Sequence, residues 1–137
     1  MTLSILDINR KGALRRSYRY IFVTLFLIFF SFVYELKGHG VYSNYMLYCF
    51  VPSLLLGVVL WFVVGYYFKN ISVYSLLPQA LDSLVATLTI GMIFRGVLDI
   101  YGTTSRLCIV FVIASVLLAV LVLVLFFISR LLDKEKL

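Results

Sequence analysis

Between Arg106 and Arg130 lie 23 consecutive residues, Leu107 to Ser129, without a single charge. The stretch VIASVLLAVLVLVLFF within it is apolar on every side, so no helix or strand made from it offers a polar face to water. As a helix it would extend roughly 34 Å at about 1.5 Å per residue. A bilayer core needs about 20 apolar residues to be crossed. This run therefore has one natural solvent, which is lipid.

The rest of the chain agrees. Of its 137 residues 64% are hydrophobic and 13% charged, and its mean hydropathy is +1.10. Soluble domains carry about a quarter charged residues, so this composition cannot clothe a water-facing surface. A membrane β-barrel would alternate in polarity over segments of about 10 residues, and the apolar runs here do not. The fold class expected is an all-α integral membrane protein with four transmembrane helices in a compact bundle, at about 16–36, 46–68, 79–101 and 107–129. Residues 1–14 form a cytoplasmic or interfacial lead-in, 15–131 the four-helix membrane domain, and 132–137 a cytoplasmic tail.

The N-terminal apolar run lacks a small-x-small cleavage site and reads as a retained helix rather than a secretory signal. Pro52 falls near the start of the second helix, where it bends the chain at little cost in hydrogen bonds. Residues 69–81 read as a loop lying along the interface, with Pro78 preceding or opening the third helix. Gly102 is a natural helix stop, and Thr104 or Ser105 supplies the cap for the fourth. Asn70-Ile71-Ser72 matches a glycosylation acceptor, a short pattern that arises often by chance.

Basic residues set the orientation. Arg10, Lys11, Arg15, Arg16, Arg19, Lys69, Arg130, Lys134 and Lys136 fall on one side, against Lys37 and Arg106 on the other. The positive-inside rule then places both termini in the cytoplasm, in a multi-pass protein of the bacterial-type inner (cytoplasmic) membrane. The net charge of +6 is accounted for by anionic headgroups, each Lys or Arg near such a surface contributing about 1 kcal/mol. No nucleic-acid partner is implied.

The third helix carries charge where charge is rare. Arg95 falls only about 5 Å past its midpoint at the helical rise, and Asp99 follows one turn later on nearly the same face. An unpaired charge in hydrocarbon costs several kcal/mol, so Arg95 must be met by Asp99, by Glu35 at the end of the first helix, or by both. With His39 and Arg106 slightly further out, these residues form the candidate polar site. Asp82, Ser83, Thr87 and Gly91 extend a small, polar stripe toward the cytoplasm, suited to helix contact or to a narrow pathway. Asp82 also stands near the positive end of the helix dipole.

Catalytic motifs are absent: there is no HExxH, no phosphate-binding loop and no nucleophile elbow. Cys49 and Cys108 form no CxxC pair and read as small apolar side chains. A single histidine with two carboxylates at no set spacing is not a metal signature, and no cofactor is implied. The leading expectation is a small non-enzymatic membrane subunit, regulator or stabilising partner that presents its charged cluster outward to a membrane protein or a second copy. An ion- or proton-coupled transporter working as a homodimer is the alternative. A lipid- or quinone-modifying enzyme using His39, Glu35 and Asp99 comes third.

Overall fold

The computed structural model describes residues 5–38, 40–67, 70–74 and 76–135. Helix dominates. Among the described residues three helices are long and apolar enough to cross a membrane: α1 (Arg10–Leu36), α4 (Leu76–Ile100) and the Leu107–Leu132 portion of α5 (Leu107–Glu135). They mark the chain as a membrane protein. Their outward faces carry exposed Phe22, Phe26, Phe29, Val112, Leu117 and Phe127, as expected where lipid rather than water is the neighbour.

The segment expected as a continuous second helix over 46–68 is broken. It begins as the single turn α2 (Asn44–Leu47) and passes through a turn at residues 48–50. It then enters a π-helical stretch, Ser53–Val59, and ends as α3 (Leu60–Tyr67). Pro52 explains the entry, because it has no N–H to donate and its ring excludes the preceding turn's carbonyl. The bonds Cys49 N–H to Met46 O and Val51 N–H to Tyr48 O are correspondingly of the tighter i to i−3 kind. The wider π turns follow, closing with Leu60 N–H on Leu55 O.

A broken backbone in an apolar setting leaves carbonyls that need donors, and neighbouring Ser and Thr side chains are the usual suppliers. Helix α1 provides hydroxyls at heptad spacing, two of which meet carbonyls and one a side chain. Ser17 Oγ donates to Val58 O at 3.0 Å, Thr24 Oγ1 to Ser53 Oγ at 3.1 Å and Ser31 Oγ to Met46 O at 2.8 Å. Gly57 lies directly against the Tyr20 ring, in space that a side chain would have to share. Gly65 packs beside Ala13, near the start of α1. These contacts follow α1 from Ala13 to Ser31, about 27 Å of helix at the standard rise.

Helix α4 sits between this broken segment and α5. A methyl group at Gly96 would come within 2.8 Å of the Met46 backbone nitrogen, so α2 lies almost directly on α4. Ala13, Trp61 and Leu81 form one buried cluster, with Val122 of α5 packed against it. Helices α1, α3, α4 and α5 therefore meet there.

Two stretches read as lead-in and loop form a short antiparallel ribbon. Strand β1 (Ile5–Asn9) pairs with β2 (Asn70–Tyr74), from Ile5 opposite Tyr74 to Asn9 opposite Asn70. Alternating Ile71, Ser72, Val73 and Tyr74 suit a pleated strand, and pairing satisfies backbone groups on both segments. Helix α4 begins at Leu76, ahead of the position expected. Pro78 lies in its first turn, where no intrahelical N–H is required.

Candidate functional site

The C-terminal ends of α1 and α4 come together with α2. Arg95 Nε lies 3.2 Å from Asp99 Oδ1, the two side chains being 35% and 28% exposed. This is the expected i,i+4 pair, with Arg preceding the acid, the less favourable order on a helix. Asp99 also stands near the C-terminus of α4, where the helix dipole disfavours negative charge. Two contacts from outside the helix offset this. Buried Ser43 donates to Asp99 Oδ2 at 3.1 Å, and the Tyr45 ring lies 5.8 Å from Arg95 Cζ, within cation–π range. Gly102, at φ +68, ends the helix. The Thr103 N–H then closes onto Leu98 O and the Gly102 N–H onto Asp99 O, fixing the turn that carries the carboxylate.

Glu35 does not share in this pair. Its Oε1 is buried and, among the described residues, has no hydrogen-bond partner. Its backbone carbonyl accepts the Gly38 N–H at 3.0 Å. Gly38 lies beside Ile100, so the end of α1 reaches the level of the end of α4. His39 lies outside the described residues. Arg106 is exposed just before α5, whose first N–H, that of Leu107, donates to Ser105 Oγ at 3.2 Å.

The stripe along α4 divides between two neighbours. Thr87, Gly91 and Arg95 line one cleft of about 490 Å³ between α4 and α5, with Tyr45, Phe111 and Val112. Thr87 Oγ1 donates to the Ser83 carbonyl within its own helix at 2.8 Å, and Ser83 itself is exposed. Asp82 turns instead to α1. It accepts a hydrogen bond from the Tyr20 hydroxyl and lies 3.6 Å from Arg16 Nη1. The Arg16 guanidinium in turn sits 5.4 Å from the Trp61 ring centre. The sequence reading missed this Arg16–Asp82–Tyr20 cluster. No local spacing pointed to it, since Arg16 and Asp82 lie on different helices.

A second, polar cleft of about 440 Å³ opens beside the first. It is lined by Tyr42, Ser43, Asn44, Tyr45, Asp99, Gly102, Thr103 and Thr104. The two clefts share Tyr45, and the Arg95–Asp99 pair stands between them, Arg95 facing the apolar one and Asp99 the polar one. A third cavity, about 510 Å³ and almost wholly apolar, lies among Leu55, Trp61, Leu77, Leu81, Val122 and Phe126.

No known family, curated protein or solved structure matches the chain. The chemistry of the site must therefore be read from its own groups. A guanidinium stays protonated at any accessible pH, and Asp99 is engaged by two donors. The arrangement holds a charged pair near the C-terminal end of α4 and joins α2 to α4 through Ser43 and Tyr45.

Proposed function

We propose that the chain crosses the membrane four times, with both termini on the cytoplasmic side, and acts without catalysis. In this reading the second crossing is the composite of α2, the π-helical stretch and α3. The hydroxyl series Ser17, Thr24 and Ser31 supports it, because these donors accompany the broken segment along most of α1. The excess of Lys and Arg beside β1, β2 and the end of α5 supports the orientation.

The protein then works as a small membrane subunit or regulator. The surface it offers is the outer end of the bundle, and the observation that carries the reading is the partly exposed Arg95–Asp99 pair, contacted by Ser43 and Tyr45. Exposed Tyr42 lines the same cleft as Asp99, and tyrosine is among the residues enriched at protein interfaces. A photocrosslinking residue at Tyr42, in membranes of cells expressing the protein, tests this. The expected result is one discrete adduct, with a membrane protein or with a second copy. Labelling of lipid alone counts against it.

A second reading, an ion- or proton-coupled homodimeric transporter, is favoured by one observation. Thr87, Gly91 and Arg95 line a single cleft that is open on its lipid side, and a second copy would close it. Flux in reconstituted vesicles that survives both Arg95→Ala and Asp99→Asn removes that mechanism.

A further inference from the structure

The order of chemistry along the outer half of α4 is unusual. An apolar slot against Gly91, Phe111 and Val112 leads to a cation, Arg95, and then to an anion, Asp99, which faces a cup of hydroxyl and amide groups. The two charged residues are one turn apart, about 6 Å along the helix axis. A phospholipid with a zwitterionic head has the same sequence of parts: apolar chain, anionic phosphate, then cationic amine.

We propose that the paired outer clefts bind one phospholipid whose head ends in a primary ammonium. One chain lies in the α4–α5 slot, the phosphate meets Arg95 and the ammonium meets Asp99. The inference rests on the proposed arrangement in which α4 and α5 cross the bilayer with residues 102–106 outside.

The donor and acceptor count allows both contacts without breaking the protein's own pair. A guanidinium has five N–H donors and an ionised carboxylate about four acceptor positions. The Arg95–Asp99 contact uses Nε and Oδ1, and Ser43 takes one position on Oδ2. A zwitterionic head adds one charge of each sign and leaves the site neutral. An anionic head without an amine brings negative charge toward Asp99 with nothing to offset it. A trimethylammonium head is neutral overall but has no N–H to give Asp99, or the oxygens of Asn44, Thr103 and Thr104. Charge order thus selects the zwitterion, and hydrogen bonding selects the primary amine.

The test uses the full chain purified in a non-ionic detergent and titrated with short-chain phosphatidylethanolamine, phosphatidylcholine and phosphatidylglycerol, with bound lipid counted by native mass spectrometry. Phosphatidylethanolamine is expected to fill one saturable site per chain. It should bind about tenfold tighter than the other two, as expected for one charge-assisted hydrogen bond. Asp99→Asn should abolish the preference among the three. Val112→Trp fills the slot from a position that is 62% exposed, so folding is spared, and it should weaken all three. Equal binding of the three lipids, the lack of a saturable site, or undiminished binding by Val112→Trp would each overturn the proposal. The assay does not depend on which side the termini occupy, so its failure is distinct from a failure of the topology.

Discussion

The Ser43 hydroxyl donates to the Asp99 carboxylate at 3.1 Å, and through that bond the first turn of the broken segment is tied to the last turn of α4. The same carboxylate holds Arg95. One acidic side chain therefore serves two elements that are far apart in the chain.

Removal of that carboxylate should cost more than removal of either partner's contact. Ser43→Ala is expected to lower stability by about 1.5–3 kcal/mol, the range for a hydrogen bond to a charged group. Asp99→Ala should cost more, since it also leaves Arg95 unpaired near hydrocarbon. Thermal unfolding in detergent ranks the two. Equal losses would show that Arg95 is satisfied elsewhere.

The Arg16–Asp82 pair should behave differently. Arg16 and Asp82 are 27% and 45% exposed at 3.6 Å, and ion pairs so open to solvent contribute about 0–1 kcal/mol. Asp82→Asn retains an acceptor for Tyr20 and is expected to change the unfolding temperature little. A loss as large as that of Asp99→Ala would mean the Arg16–Asp82 pair is the more important of the two.

Thr24 of α1 meets Ser53 at the start of the π-helical stretch, so the loss of either hydroxyl should be felt through coupling. Thr24→Val and Ser53→Ala each remove one member of a buried bond. A double-mutant cycle should give a coupling near the average of about 0.6 kcal/mol for hydrogen bonds between membrane helices. Zero coupling would mean that the two hydroxyls do not meet.

Gly57 offers a steric test. Because the Tyr20 ring already occupies the space beside it, Gly57→Ala overpacks the contact and should cost about 1–3 kcal/mol. Tyr20→Ala in the same chain should recover part of that loss. Without recovery, the damage would lie in the π-helical backbone itself.

How much of this was legible in the residues depends on what each feature needs. The three long helices follow from uninterrupted apolar runs, and only lipid explains Leu107 to Ser129. The Arg95–Asp99 pair follows from spacing on one helix. Its partners Ser43 and Tyr45 do not, since they arrive by way of a loop whose path depends on several turns. The broken second segment was signalled by Pro52, but hydropathy counts side chains and is blind to backbone hydrogen bonds, so the π turns went unread. Ser17, Thr24 and Ser31 look like scattered polar interruptions until their sevenfold spacing is set against a neighbour that lacks donors. Asp82 carried a plausible local role at a helix start, which concealed its long-range partners Arg16 and Tyr20.

Whether the chain crosses the membrane an even number of times is the claim on which the site's outward position depends. The direct measurement places single cysteines at Lys11 and Lys134, in a chain carrying Cys49→Ala and Cys108→Ala, and labels them with an impermeant maleimide in intact cells. Four crossings predict that both positions stay unlabelled until the membrane is permeabilised, and then react together. Labelling of one terminus and not the other in intact cells would contradict the account, because the composite of α2, the π-helical stretch and α3 would then not cross.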